Sequence, residues 1–261
     1  MKRKYFFFDI DDTLTVRFGN NANEAVIPDS AREALRLLEE KGHFLAICTG
    51  RSHSMAEPFR QRLGFQNMVH DGGNGVTLDG KLIEILPLDR EAVLALFKEC
   101  DEKGIAWGFN PDDSIRRLTP DPRFYEITKD AYMKTEVVPG LDPNDYPEFH
   151  KAYAAIRPGE EGLLRSLRQL PWLRYQDEYI FIEPTNKAAG IRRMLEMIGG
   201  DPKEVVVFGD NWNDISMFSS EWTNIAMGNA IPRLKELADY VTSKNSEDGI
   251  YNACLHFGWI P

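Results

Sequence analysis

The chain has 261 residues, which is long enough for one large or two modest domains with a substantial hydrophobic core. Its 31 basic and 41 acidic residues give a formal charge of −10, which argues against nucleic acid as a partner. Hydrophobic residues make up 43% of the chain and charged residues 28%, and this composition excludes a disordered or fibrous protein.

The cysteines and the start of the chain indicate a cellular compartment. The three cysteines are far apart and odd in number, so they predict neither a disulfide framework nor a zinc site. The apolar run Tyr5–Phe8 is too short for a signal peptide, and no stretch approaches the roughly 20 apolar residues that span a bilayer. We therefore expect a cytoplasmic protein with no membrane partner.

The chain opens with two rounds of a strand followed by a helix. The apolar runs Tyr5–Phe8 and Phe44–Cys48 are short and unalternating, as is typical of buried parallel strands. Between them, Ser30–Glu33 has the pattern of a capping box that opens a helix closed by Gly42. A second helix is expected after the second strand.

Residues 83–184 have a different pattern. They hold 10 of the 15 prolines, which favours loops and antiparallel strands over a continuous parallel sheet. Helices are predicted at Asp89–Lys103 and Glu160–Leu170, with short strands between and after them. Four aromatic residues are expected to pack the core of this segment or to line a pocket: Trp107, Phe109, Tyr132 and Tyr153.

The last part of the chain returns to alternating helices and strands. A helix follows Lys187, and the buried strand Val205–Phe208 comes next, followed by two more short strand candidates. Residues 1–82 and 185–261 are therefore predicted to form an α/β domain with a doubly wound parallel sheet, and residues 83–184 an α+β insertion. In such sheets ligands bind at the carboxyl ends of the strands.

Acidic residues follow two of the predicted buried strands. The first pair lies in Asp9-Ile10-Asp11-Asp12-Thr13, a pattern expected only about 0.03 times by chance in this length. Asp210 and Asp214 follow the later strand. Carboxylates gathered at one sheet edge repel one another unless a cation such as Mg²⁺ lies between them. The alternative is that these side chains only cap turns and helices.

Two further positions suit a phosphoryl group. Thr49 ends the second strand and opens a helix, so its hydroxyl and the nearby backbone amides could hold a phosphoryl oxygen, or it could be a simple helix cap. Lys187 is either a solvated surface charge or the positive charge that such an anion needs beside carboxylates.

The two acidic segments, the segment at Thr49 and Lys187 form four motifs that follow one another in a fixed order along the chain. In composition and order they resemble the motifs of the haloacid dehalogenase (HAD) superfamily, in particular its Cof-type phosphatases with a C2 cap. The motifs are Asp9–Thr13, Thr49–Arg51, Lys187 and Gly209–Asp214, and Ala226–Asn229 is a smaller mark. The resemblance implies a Rossmann-like HAD core and a C2-type cap domain that closes over the site and contacts the leaving group.

The resemblance also implies a role for each motif residue. Asp9 is the expected nucleophile, which forms an aspartyl-phosphate, and Asp11 the expected general acid and base. Mg²⁺ is expected on the carboxylates of Asp9 and Asp210 and the main-chain carbonyl of Asp11, with Asp214 at or near the ion. The substrate-binding set is expected to be Thr49, Gly50, Arg51, Lys187 and Asn213.

The implied activity is Mg²⁺-dependent hydrolysis of a small phosphorylated metabolite such as a sugar phosphate, by a monomer or weak homo-oligomer. The carboxylate at Asp11 argues against the dehalogenases and P-type ATPases of the superfamily, which lack an acid there. Two alternatives stay open, a phosphohexomutase of the same fold and a non-catalytic protein that senses a phosphorylated ligand.

Overall fold

A computed structural model of the chain describes residues 2–16, 26–129 and 133–261. The chain divides into two compact units. The first unit comprises Met1–Arg51, Ala56–Glu84 and Asn186–Pro261, and the second comprises Ser52–Met55 and Ile85–Thr185.

The helices and strands are numbered in chain order. The strands are β1 (Tyr5–Phe8), β2 (Phe44–Cys48), β3 (Asn67–His70), β4 (Gly75–Leu78), β5 (Lys81–Ile85), β6 (Trp107–Phe109), β7 (Arg116–Thr119), β8 (Lys134–Val137), β9 (Ala152–Ala154), β10 (Trp172–Gln176), β11 (Tyr179–Ile182), β12 (Val205–Gly209), β13 (Thr223–Ala226) and β14 (Tyr240–Val241). The α-helices are α1 (Asp29–Glu40), α2 (His53–Leu63), α3 (Arg90–Lys103), α4 (Arg123–Thr128), α5 (Lys187–Ile198), α6 (Pro232–Leu237) and α7 (Gly249–His256).

The first unit is built on an eight-stranded sheet in the order β14-β13-β12-β1-β2-β3-β4-β5. Strand β1 lies between β12 and β2 and is parallel to both. Strands β13, β14 and β3 continue the parallel arrangement, and β4 is antiparallel to β3.

Helices cover both faces of this sheet because the side chains of β1 alternate between two cores. Phe6 and Phe8 pack into one core with Leu38 of α1 and residues of α7. Phe7 packs into the other core with residues of α5, including Ile191. The predicted doubly wound α/β fold is confirmed.

The second unit has a six-stranded sheet in the order β10-β11-β9-β6-β7-β8. All of its described strand pairs are antiparallel except β7 and β8. Helix α3 packs on one face, where Trp107 and Phe109 join its apolar core as predicted. Tyr153 lies in a separate cluster with Phe124 and Tyr179. The fourth aromatic residue, Tyr132, lies outside the described residues.

Two local predictions are wrong. The predicted helix at Glu160–Leu170 is instead two short 3₁₀ turns, since its buried residues Leu164, Leu167 and Leu170 recur every three residues, the period of a 3₁₀ helix. The capping box at Ser30 is also absent. Helix α1 begins at Asp29 with Pro28 at its N-cap, so Ser30 lies inside the first turn.

Candidate active site

The site is built where β1, β2 and β12 end. Because β1 lies between the other two strands, the loops that follow all three emerge at one edge of the sheet. The main-chain N–H of Asp9 donates to the carbonyl of Phe208 at 3.0 Å, which holds the first acidic loop against the second.

Three buried aspartates meet at this edge. Asp9, Asp210 and Asp214 each offer a carboxylate oxygen, and these atoms lie within 4.8 Å of one another. Among the residues that the structure describes, this is the one group of three or more acidic, histidine or cysteine side chains whose ligand atoms lie close enough together to hold a metal ion. Gly209 makes room for them, since a Cβ there would lie 2.8 Å from Cγ of Asp214.

Lys187 lies inside this cluster. Its Nζ donates to Oδ1 of Asp9 and to Oδ1 of Asp214, both at 2.6 Å, although these residues are 178 and 27 positions away in the chain. The side chain is 1% exposed, so the interpretation of Lys187 as a solvated surface charge is wrong. Asn186 caps α5 by accepting a hydrogen bond from the N–H of Ala189, which places Lys187 at the first turn.

The buried charges shift one another's protonation. Burial, with the neighbouring charge of Asp214, raises the pKa of Asp9 to about 7 against the opposing effect of Lys187. Burial and the charges of Asp9 and Asp214 raise the pKa of Asp210 to about 8. For Lys187, burial favours the neutral amine, but the two carboxylates outweigh it and its pKa is raised. One ammonium thus faces three carboxylates, and a further cation would relieve the repulsion.

The second acidic residue of the first motif is paired with a cation. Arg51 donates from Nε to Oδ2 of Asp11 at 3.0 Å and from Nη2 to Oδ1 at 2.8 Å. The Arg51 guanidinium also lies 4.2 Å from the ring centroid of Phe59. Local sequence patterns did not indicate the pairing of Arg51 with Asp11. It brings the second motif into contact with the first.

Thr13 is a site residue that the sequence analysis missed. Its hydroxyl donates to Oδ1 of Asp210 at 2.7 Å, and Thr13 is 1% exposed. The residue is visible in the first motif, but its partner lies 197 positions away and depends on the pairing of β1 with β12.

The remaining predicted residues lie in the loops after β2 and β12. The hydroxyl of Thr49 accepts a hydrogen bond from the N–H of Arg51 at 3.2 Å, and Gly50 lies between the two. Asn213 is half-buried, and its main-chain carbonyl accepts a hydrogen bond from the hydroxyl of Ser216. The roles of these residues toward a substrate stay predictions.

The loop after β12 contains a short helix whose N-cap is Asn211 and not Asp214. A 3₁₀ helix begins at Trp212, and Asn211 is its N-cap, so the helix starts before Asp214. Oδ2 of Asp214 accepts from the N–H groups of Asp210 at 2.8 Å and Asn211 at 3.0 Å, while its Oδ1 receives Lys187. Asp214 therefore both shapes the loop and contributes charge to the cluster.

The sheet from Phe6 onward and its acidic edge fall within one family match. Residues 6–254 match the family described as haloacid dehalogenase-like hydrolase. The chain belongs to this family. It is thus a hydrolase, and the superfamily predicted from the four motifs is confirmed.

Similar proteins match the hydrolase over nearly its full length. A Bacillus subtilis protein named "Putative phosphatase YkrA" is 30% identical, and the match covers 100% of both chains. The B. subtilis protein named 5-amino-6-(5-phospho-D-ribitylamino)uracil phosphatase YcsE is 26% identical, with 98% of this chain and 96% of that protein covered.

Solved structures share both the fold and the length of this hydrolase. A hypothetical protein from Geobacillus kaustophilus is 32% identical with a TM-score of 0.82, covering 99% of this chain and 100% of that chain. The HAD subclass IIB sugar phosphatase BT4131 is 28% identical with a TM-score of 0.75, covering 98% and 100%. None of the helices in the described part of the hydrolase combines the length and apolar character that a membrane crossing requires.

Proposed function

We propose that this hydrolase is a Mg²⁺-dependent phosphatase of a small phosphorylated metabolite, with sugar phosphates as the substrate class. The observation that carries the proposal is the buried contact of Lys187 with Asp9 and Asp214, beside Asp210. Two similar proteins support the substrate class by name, one a sugar phosphatase and one a phosphatase of a phosphoribitylamino compound.

The residues at the acidic edge fit a hard divalent cation. Asp9 and Asp210 would hold Mg²⁺ through their carboxylates and Asp11 through its main-chain carbonyl, with Asp214 at or near the ion. All of these donors are oxygens, which Mg²⁺ prefers, and the cluster has more negative than positive charge. When bound, Mg²⁺ supplies positive charge to the phosphoryl oxygens.

The proposed reaction has two halves. In the first, a carboxylate oxygen of Asp9 bonds to phosphorus, the bond from phosphorus to the leaving oxygen breaks, and Asp11 gives that oxygen a proton. In the second, Asp11 takes a proton from water, whose oxygen displaces Asp9 and releases phosphate. Thr49 and Lys187 would hold the phosphoryl oxygens.

Further residues and the second unit complete the proposal. Gly50, Arg51 and Asn213 are proposed to contribute to substrate binding. Because the larger part of the second unit, Ile85–Thr185, is inserted in the chain between Glu84 and Asn186, we propose that this unit is the cap, which selects the leaving group. A cytoplasmic location is also proposed, and the three free, buried cysteines are compatible with a reducing compartment.

Phosphate release from a panel of phosphorylated sugars, polyols and nucleotides tests the function. We expect release that requires Mg²⁺, is strongest for sugar phosphates, and is lost with EDTA or in Asp9→Asn. Movement of phosphate within a hexose without release would favour the phosphohexomutase. Binding of a phosphorylated compound without turnover would favour the sensing protein.

Stability should depend jointly on pH and Mg²⁺. The pKa values of Asp9 and Asp210 are about 7 and about 8 in the folded chain, against an ordinary 3.8. Between pH 3.8 and these raised values, the metal-free folded chain therefore binds more protons than the unfolded chain. The contribution of these two residues to the free energy of unfolding therefore decreases as pH rises from about 4 to about 8. Mg²⁺ binds the deprotonated carboxylates and so competes with these protons. We expect about 10 mM Mg²⁺ to raise Tm by about 5 °C at pH 8.5 and by less than half as much at pH 6.

Differential scanning fluorimetry measures these shifts, with Asp210→Asn as the comparison. This variant lacks one proposed ligand and should show little Mg²⁺-dependent shift at either pH. Equal Mg²⁺ shifts at both pH values in the unmodified chain would contradict the expected competition between Mg²⁺ and protons.

Removing Arg51 should slow the steps that use Asp11. The two hydrogen bonds from Arg51 orient the Asp11 carboxylate, and hydrogen bonds to charged groups contribute about 1.5–3 kcal/mol. Because both side chains are partly exposed, we expect the lower end, a decrease in kcat of about tenfold for Arg51→Ala on alkyl phosphates. Arg51→Lys keeps the charge but not the paired hydrogen bonds and should recover only part of the rate. Steady-state kinetics separate this decrease in kcat from the rise in KM that the proposed substrate-binding role of Arg51 would give, and a rise in KM with unchanged kcat would leave Arg51 only that role.

A further inference from the structure

Two asparagines outside the four motifs hold the loop that contains the proposed nucleophile. Asn229 follows β13, and its Nδ2 donates to the main-chain carbonyl of Asp12 at 2.8 Å. Asn245 follows β14, and its Nδ2 donates to the carbonyl of Thr15 at 2.8 Å. The main-chain N–H of Asn245 donates to Oδ1 of Asn229 at 3.0 Å, so the two residues act as one linked brace.

The loop that they hold has an unusual backbone. Asp12 has a φ of 60° and a ψ of 8°, in the left-handed region, while Asp11 before it has an extended ψ of 121°. A non-glycine residue in the left-handed region costs on the order of 1 kcal/mol and needs support from its surroundings. The hydrogen bond from Asn229 to the Asp12 carbonyl provides such support. Asp12 directly follows Asp11, whose main-chain carbonyl is a proposed Mg²⁺ ligand.

The same segment holds the second acidic loop. The N–H of Met227 donates to the carbonyl of Gly209 at 3.0 Å, and the N–H of Ile231 donates to the carbonyl of Asp210 at 2.9 Å. Residues 227–231 therefore make hydrogen bonds to both loops that contribute carboxylates to the acidic edge.

This segment is in turn packed closely on the loop that contains Asn245. The N–H of Gly228 donates to the carbonyl of Ser243 at 2.9 Å. A Cβ at Gly228 would lie 2.6 Å from the main-chain nitrogen of Lys244, so only glycine permits this approach. The close contact holds Asn229 and Asn245 in register with each other.

We infer that Asn229, supported by Asn245, is a positioning residue for divalent-cation binding. It sets the backbone at Asp11 and Asp12 and, with its neighbours, fixes the distance between the two acidic loops. The inference rests on the proposed Mg²⁺ site. Groups that bond directly to metal ligands typically contribute about 10-fold to 100-fold to metal affinity, and because Asn229 bonds the residue after Asp11 we expect an effect at the lower end of this range.

Mg²⁺ binding measured by isothermal titration calorimetry, without substrate, tests the inference. We expect Asn229→Ala to raise the Kd for Mg²⁺ by about tenfold or more and Asn245→Ala to raise it by less. Asn245→Ala removes the bond to the Thr15 carbonyl but keeps the main-chain N–H that bonds Asn229, so the double variant should add this smaller effect to that of Asn229→Ala. Asn229→Asp keeps the size and loses the donor, so it should weaken Mg²⁺ binding even if the alanine variant does not fold.

Asn252→Ala is the matched control. Asn252 donates to the hydroxyl of Ser243 and the carbonyl of Glu247, so its loss removes two hydrogen bonds of the same loop and keeps every hydrogen bond of Asn229 and Asn245. It should lower Tm and leave the Kd for Mg²⁺ unchanged. A folded Asn229→Ala or Asn229→Asp protein with a Kd within about twofold of the unmodified chain would overturn the inference alone. Failure of the unmodified chain to bind Mg²⁺ would overturn the proposed metal site together with it.

Discussion

Asp9→Asn is expected to abolish phosphate release, with kcat lower by on the order of 10⁴-fold or more. Asparagine lacks the charged oxygen that would attack phosphorus, and no other carboxylate of the cluster has the same position at the end of β1. The fold should persist, because asparagine has the same shape and keeps an oxygen that can accept a hydrogen bond from Lys187. Phosphate-release assays and circular dichroism measure the two effects.

The change in stability that Asp9→Asn causes also has an expected direction. Burial and neighbouring charges raise the pKa of Asp9 to about 7, so its ionised form destabilises the metal-free fold at higher pH. The variant should therefore have a Tm equal to or above that of the unmodified chain at pH 8 without Mg²⁺.

Asp145→Asn is the matched control, because it makes the same aspartate-to-asparagine change at a residue outside the acidic cluster. Asp145 is an exposed residue of the second unit, and its substitution should leave turnover and Tm unchanged. Acid quenching with a ³²P-labelled ester should trap a phosphorylated protein in the unmodified chain and in Asp145→Asn but not in Asp9→Asn. Near-normal turnover in folded Asp9→Asn would exclude the covalent mechanism.

Asp11→Asn is expected to lower turnover of alkyl phosphates by about 10²–10⁴-fold, the usual contribution of general acid–base catalysis. The reason is that an alkoxide leaving group needs the proton that Asp11 is proposed to supply. An aryl phosphate with a weakly basic leaving group needs no such proton, so formation of the phosphorylated protein should stay fast. Its hydrolysis should still be slow, because Asp11 also takes the proton from water.

Rapid-mixing kinetics with a chromogenic aryl phosphate distinguish these steps. Asp11→Asn should release a stoichiometric burst of phenol and then turn over slowly, whereas Asp145→Asn should behave like the unmodified chain. An unchanged rate of Asp11→Asn on alkyl phosphates would remove Asp11 from its proposed role.

The acidic edge of the sheet is well predicted from sequence because the signals are local. A buried parallel strand appears as a short apolar run, and the residues that follow it are brought to the carboxyl edge by the strand itself. Tyr5–Phe8 and Val205–Gly209 are such runs, and the pairing of β1 with β12 places Asp9 beside Asp210.

The prediction is weaker where the local signal is ambiguous. The segment 160–170 has apolar residues at a spacing compatible with two kinds of helix, and burial in the second unit favours the 3₁₀ turns. Strand β5 is another example, since all five of its residues are exposed or half-buried and no buried apolar run marks it.

The local sequence pattern alone specifies the strands. It also shows which carboxylate, lysine and threonine side chains follow them in the chain. The packing specifies their partners. Lys187 is an ordinary lysine until α5 places its ammonium between carboxylates 178 and 27 positions away, and Asn229 is an ordinary loop residue until it meets the carbonyl of Asp12. These contacts join residues far apart in the chain, so they follow from strand order and helix packing, which no single segment encodes.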